Sequence, residues 1–142
     1  MPDRILVPLD ESDPSKKALD FAVEQYPEAT LVAVHAIDPH DLEPMTGIET
    51  IGSYDELISN YEKRAKRILN KARETAEASG VDIETERLSG RAGRAIVDYV
   101  EDNDIDHVVI GSHGRRGTTR VLLGSVAETV IRRSPVPVTV VR

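Results

Sequence analysis

Three glycines and one hydroxyl, in the spacing Gly111-x2-Gly114-x9-Gly124-Ser125, carry the strongest chemical signal in the chain. Glycine has no Cβ, so Gly111 and Gly114 let main chain approach a flat base, a sugar or a phosphate without a clash. Gly124-Ser125 opens a predicted helix, where unpaired N–H groups and the helix dipole favour an anion. Together they describe a phosphate cradle that lacks a P-loop lysine. A purely structural reading stays open: Gly111, Gly114 and Gly117 permit turns, and Ser125 with Glu128 forms a capping box that serves the helix alone. Arg115, Arg116 and Arg120 add positive charge suited to a polyphosphate, although arginines on loops are commonly just solvated.

Asp10 closes the first apolar run. A carboxylate there accepts hydrogen bonds from ribose hydroxyls or holds a divalent cation against phosphates; alternatively it caps the turn at Ser12. The histidines are His35, His40, His107 and His113, and none has metal-ligand spacing to another. His35 falls in a buried strand and reads as a satisfied core residue, whereas His113, between two loop glycines, is placed to touch a nucleotide. The chain has no cysteine, which excludes disulfides, thiolate metal sites and a cysteine nucleophile. A dinucleotide oxidoreductase would carry G-x-G-x-x-G after its first strand, where Asp10-Glu11-Ser12-Asp13 stands instead. A receiver domain would end its third strand on a phospho-acceptor aspartate, and Leu88-Ser89 occupies that place.

These residues need elements to position them, and the periodicity predicts an alternation. Apolar runs at Ile5–Leu9, Thr30–Ile37 and Asp106–Ile110 read as strands, Val81–Leu88 as an alternating strand and Val136–Val141 as a last one. Helices are predicted after Asp13, as cap, with Pro14 in the first helical position; over 53–79, stopped by Gly80; over Arg91–Asp102, with Ala92, Ala95, Ile96 and Tyr99 inward; and over Ser125–Arg133. Pro39, Pro44, Gly47 and Gly52 are too many breakers for a regular element between Asp38 and Gly52, which predicts a mobile surface loop, a connector in the simpler reading and a lid in the alternative. The order βαβαβαβαβ calls for a parallel sheet with helices on both faces, an α/β doubly wound fold. Strands one, two and four are apolar on both faces and belong in the centre. The alternating third strand and the fifth, with Pro135 and Pro137, belong at the edges. Order 3-2-1-4-5 satisfies this, with a ligand crevice where the winding reverses between strands one and four.

With 142 residues the chain predicts one domain, residues 1–142. Eighteen Lys and Arg against twenty-five Asp and Glu give a net charge of −7, a field that repels nucleic acid and anionic membrane. No apolar run approaches the ~18 residues of a membrane span, and Met1–Asp10 does not read as a signal peptide. The expectation is a cytoplasmic protein with neither nucleic acid nor membrane as partner.

The chain resembles the universal stress proteins of the small, single-domain, ATP-binding kind. The resemblance covers essentially its whole length: Ile5-Leu6-Val7-Pro8-Leu9-Asp10-Glu11-Ser12, Val34-His35-Ala36-Ile37-Asp38, Gly111-Ser112-His113-Gly114, Gly124-Ser125 and Pro135-Val136-Pro137-Val138. It implies a Rossmann-like fold of the adenine nucleotide alpha hydrolase-like type and ATP with Mg²⁺ or Mn²⁺ as ligand. By the same resemblance Asp10 meets the ribose, Ala36 presents its backbone to adenine, and Pro8, Leu9, Ile110 and Val126 line the pocket. Gly111 adjoins the ribose, while His113, Gly114, Gly124 and Ser125 surround the phosphates. It further implies a homodimer through the final strand, Val136–Val140, an edge that invites pairing with another chain. The function expected is a nucleotide-dependent stress-response or regulatory dimer. A slow ATP hydrolase or nucleotidyl-transfer enzyme on the same site is one alternative, weakened by the absence of an evident positioned base; a nucleotide-free assembly protein is the other.

Overall fold

The computed structural model describes residues 2–39, 53–113 and 123–142. Along them run β1 (Arg4–Pro8), α1 (Asp13–Gln25), β2 (Thr30–Ile37), α2 (Ser53–Ala78), β3 (Ile83–Ser89), α3 (Ala92–Asp102), β4 (His107–Gly111), α4 (Ser125–Arg133) and β5 (Val138–Val141). The strands form one parallel sheet in the order β3-β2-β1-β4-β5, as the strand compositions predict. The expected connector at 40–52 lies outside the described residues.

The alternation of side chains along each strand divides the interior into two layers. Ile5, Val7, Leu31, Ala33 and Val109 meet α1 and α2 through Ala18, Leu19, Ala22, Ile68, Leu69, Ala72 and Ala76. Leu6, Val32, Val34, Val108 and Ile110 face the other way, onto Ile96, Val97 and Val100 of α3 and Ala127 and Val130 of α4. The three central strands are thus covered on both sides, which explains their unbroken apolar runs.

Local details differ from the sequence reading. The N-cap of α1 is Ser12, whose Oγ accepts from the Ser15 N–H at 3.2 Å, so Asp13 and Pro14 are the first two helical residues. The cap moves one residue back because Pro tolerates either of the first two positions, neither of which needs its N–H. Helix α3 begins at Ala92 and buries Gly93, Ile96, Val97 and Val100, a stripe rotated from the predicted one; Ala92, Ala95 and Tyr99 are half-buried. The cause is close approach to α4, since a Cβ on Gly93 would lie 2.9 Å from Thr129 Cβ. Strand β5 starts at Val138 rather than Val136, because Ser134 folds Val136 into a turn, with its Oγ donating to the Val136 carbonyl at 2.8 Å.

Candidate functional site

At the carboxyl ends of β1 and β4, where the winding reverses, the strands splay and leave a hollow. Pro8, Leu9 and Asp10 continue β1 into it, Val34, His35 and Ala36 come from β2, and Ile110, Gly111 and His113 follow β4. Ala92 and Ile96 of α3 and Val126 and Ala127 of α4 close the second side. The hollow is small, ≈ 80 Å³, against ~300–1,000 Å³ for sites that enclose a drug-sized ligand. A larger guest therefore lies partly outside it.

Eight of the residues singled out from sequence line this hollow: Pro8, Leu9, Asp10, Ala36, Ile110, Gly111, His113 and Val126. Gly124 and Ser125 adjoin it at the start of α4, and Gly114 lies outside the described residues, as do Arg115, Arg116, Gly117 and Arg120. Sequence reasoning missed Val34, Ala92, Ile96 and Ala127 as walls, because nothing distinguishes them from ordinary core residues. It also treated His35 as core only. The imidazole is buried, and it reaches the turn after β1 that borders the hollow.

Gly111 and Gly124 make close contacts within the chain itself. A Cβ on Gly111 would come within 2.7 Å of the Pro14 carbonyl carbon and 2.8 Å of the Ser15 nitrogen, so this residue admits the first turn of α1 while also lining the hollow. A Cβ on Gly124 would lie 2.9 Å from the His113 Cα, while the Gly124 N–H donates to the Ser112 carbonyl at 2.7 Å. Gly124 thereby ties the start of α4 to the end of β4, drawing together two ends of the glycine-rich segment.

Nor is Ser125 a cap. Gly124 is the N-cap, no side chain closes the helix end, and Glu128 pairs with Arg132 at 2.9 Å instead of reaching back. The capping-box reading is therefore overturned. The first N–H groups of α4, at Ser125, Val126 and Ala127, have no carbonyl one turn earlier within the helix to receive them. Two of these residues, Val126 and Ala127, line the hollow.

On the opposite rim the chain leaving β1 makes a heavily bonded turn. The Leu9 N–H donates to the Val34 carbonyl at 2.8 Å, and His35 Nδ1 stands 2.7 Å from the Leu9 carbonyl. Asp10 Oδ1 accepts from the Ser12 N–H at 3.0 Å, which realises the turn-capping alternative for one oxygen only; Oδ2 accepts no hydrogen bond from a described residue. Glu11 has φ +67°, in the left-handed region, and its carboxylate accepts from Arg64 Nε at 3.2 Å and Arg67 Nη2 at 3.1 Å. Ser12 Oγ reaches the His113 carbonyl at 3.5 Å, joining the two rims. Among the described residues no group of three His, Cys, Asp or Glu side chains is arranged to hold a metal, and no described helix is long and apolar enough to cross a membrane.

An apolar slot, a carboxylate with one oxygen that no described residue occupies and a helix start that no described side chain caps thus meet at one end of the sheet. The universal stress protein MJ0531 of Methanocaldococcus jannaschii is 36% identical over 139 residues, covering 98% of this chain and 81% of its own length. The structure of the universal stress protein UspA from Lactobacillus plantarum superimposes with a TM-score of 0.83 at 27% identity, over 99% of this chain and 97% of that one. A universal stress protein in complex with cAMP aligns with a TM-score of 0.71 at 29% identity, over 99% of this chain and 97% of its own. The model of the universal stress protein family matches residues 1–142, and to that family the chain belongs.

Proposed function

We propose that the hollow binds the base of an adenine nucleotide, ATP, and that the protein acts as a nucleotide-dependent regulatory dimer in the cytoplasm. The observation that carries this reading is the meeting of three unlike surfaces in one cleft: apolar walls from β1, β4 and α4, the Asp10 oxygen that no described residue occupies, and the start of α4, which no described side chain caps. A flat base fits between Pro8, Leu9, Ile110 and Val126 with the Ala36 backbone at its edge. A ribose diol donates to Asp10 beside Gly111. Phosphates lie along Gly124, Ser125 and His113 at the helix start, where dipole and N–H groups favour negative charge; Gly114, the remaining residue of the motif, is outside the described residues. Mg²⁺ or Mn²⁺ would be held mainly by the phosphates, since the described residues offer no ligand cluster. The complex of a relative with cAMP supports an adenine nucleotide as the ligand class.

The test is thermal unfolding with ATP and Mg²⁺, because a ligand that binds only the folded chain stabilises it. At ~100-fold excess over Kd the gain is about 2.7 kcal/mol, a rise of about 5–10 °C in Tm. Ser125→Asp separates fold from ligand: an acidic residue in the first turn favours the helix yet repels phosphate. The variant should melt no lower than the parent while losing most of the ATP shift. Absence of a shift in the parent protein overturns the nucleotide reading.

A further inference from the structure

His35 occupies the face of β2 that Ala33 turns into the layer with α1 and α2, and it is 8% exposed. An apolar side chain would satisfy that layer, as Ala33 does. Among the described residues, what the imidazole adds is the bond from Nδ1 to the Leu9 carbonyl oxygen at 2.7 Å. A carbonyl only accepts, so Nδ1 carries the proton. The register of β1 on β2 ends at Pro8 opposite Val34. One residue later, both main-chain polar groups of Leu9 are held by successive residues of β2, the N–H by the Val34 carbonyl and the carbonyl by the His35 ring.

This clamp stands immediately before Asp10, and the direction taken at Leu9 decides where that carboxylate lies. The rest of the turn is fixed from the other side: the Asp10 N–H donates to Ser15 Oγ at 3.3 Å, Oδ1 receives the Ser12 N–H, and Glu11 is held at a positive φ that persists only where its surroundings impose it. Asp10 Oδ2 accepts no hydrogen bond from a described residue, and Asp10 lines the hollow.

We propose that His35 is a positioning residue for the carboxylate that reads the ribose: by holding the Leu9 carbonyl it sets the place of Asp10 and so the preference of the site for a nucleoside with an intact diol. The inference rests on the nucleotide reading above and goes beyond it, since His35 acts through Leu9 without touching the sugar.

The experiment is calorimetric titration of nucleotide-free protein with ATP and with 2′,3′-dideoxy-ATP, both with Mg²⁺. The parent should prefer ATP by roughly tenfold or more, the scale of a hydrogen bond to a charged group. Asp10→Ala should remove that preference. His35→Leu should reduce it to about threefold or less, with dideoxy-ATP affinity unchanged. His35→Asn, whose amide nitrogen sits at the same bond distance from Cβ as Nδ1, should restore most of it. The double variant His35→Leu with Asp10→Ala should discriminate no worse than Asp10→Ala alone. If the leucine variant fails to fold, His35→Gln takes its place, because it keeps an amide but displaces the donor by one bond, and it should lose the preference. A folded His35→Leu or His35→Gln protein that retains the full preference overturns the inference, as does one that loses both ligands equally. A parent protein that binds neither ligand overturns the nucleotide reading itself, whereas failure of the His35 variants alone leaves that reading standing.

Discussion

His107 opens β4 at the end of the sheet away from the hollow. Its Nε2 is 2.7 Å from Thr139 Oγ1 and its ring lies 5.8 Å from that of Tyr26. Burial disfavours the charged imidazolium and pushes its pKa below the ordinary 6.5. The sign follows by linkage: between the lowered folded value and 6.5 the unfolded chain binds more protons, so stability holds above that window and falls as pH drops through it. Urea midpoints compared at about pH 7.5 and about pH 5 should show the parent losing more stability than His107→Gln, which cannot titrate. Equal losses would refute this. Single residues of this kind are where sequence is least informative. His35, His107 and His113 share one side chain, and only the structure separates a clamp on Leu9, a cross-strand bond to Thr139 and a ring on the rim of the hollow beside Ser112 Oγ at 3.2 Å. Asp10 was legible because a carboxylate ending an apolar strand is conspicuous; the apolar walls Ile96 and Ala127 were not, since a pocket lining and a core look alike in composition.

Between elements, the closest approaches are set by residues with no side chain. Gly111 lets α1 begin against β4, and the backbone atoms of Pro14 and Ser15 that a Cβ would strike at 2.7 and 2.8 Å cannot swing aside as a flexible side chain would. Gly111→Ala should therefore lower stability by about 2 kcal/mol, the middle of the range for inserting an atom into packed surroundings. A chemical denaturation midpoint unchanged from the parent would contradict the contact. Strand order and helix placement were fully legible, since they follow from which runs are apolar on both faces and where prolines deny a ladder its donors. Cap positions and the rotation of α3 were not. Ser12 and Asp13 are equally good caps, and the packing of Gly93 on Thr129 is a long-range fact that no local window contains. The close approaches made at Gly111 and Gly124, to the start of α1 and to His113, are likewise contacts within the chain that the glycine spacing alone does not reveal.

At the scale of the molecule the sheet has two edges of different character. Strand β3 pairs with β2 over seven residues, Leu31–Ile37 with Ile83–Ser89, and Arg4 braces it from two strands away through Glu84 at 2.8 Å. Strand β5 is four residues long, entirely half-buried, with a neighbour on one side only. Val136, Val138 and Val140 rest on the α3 and α4 layer and Val141 on the other, so a partner would meet its main chain more than its side chains. On the proposed dimerisation, sedimentation at tens of micromolar should give twice 15.6 kDa. Val140→Lys, which places a charge beside that edge, should shift the population to monomer. A monomeric parent under the same conditions would exclude pairing through β5.

The two shells around the sheet are unequal. On one side α1 and α2 span 13 and 26 residues, while on the side that walls the hollow α3 and α4 span 11 and 9. Any guest wedged beside Ile96, Val126 and Ala127 loads the lighter shell, and that shell is also the one on which Val136, Val138 and Val140 rest. Yielding at the cleft is thus mechanically nearest to the free border of the sheet, while the long helix on the far side stays a stiff back-plate.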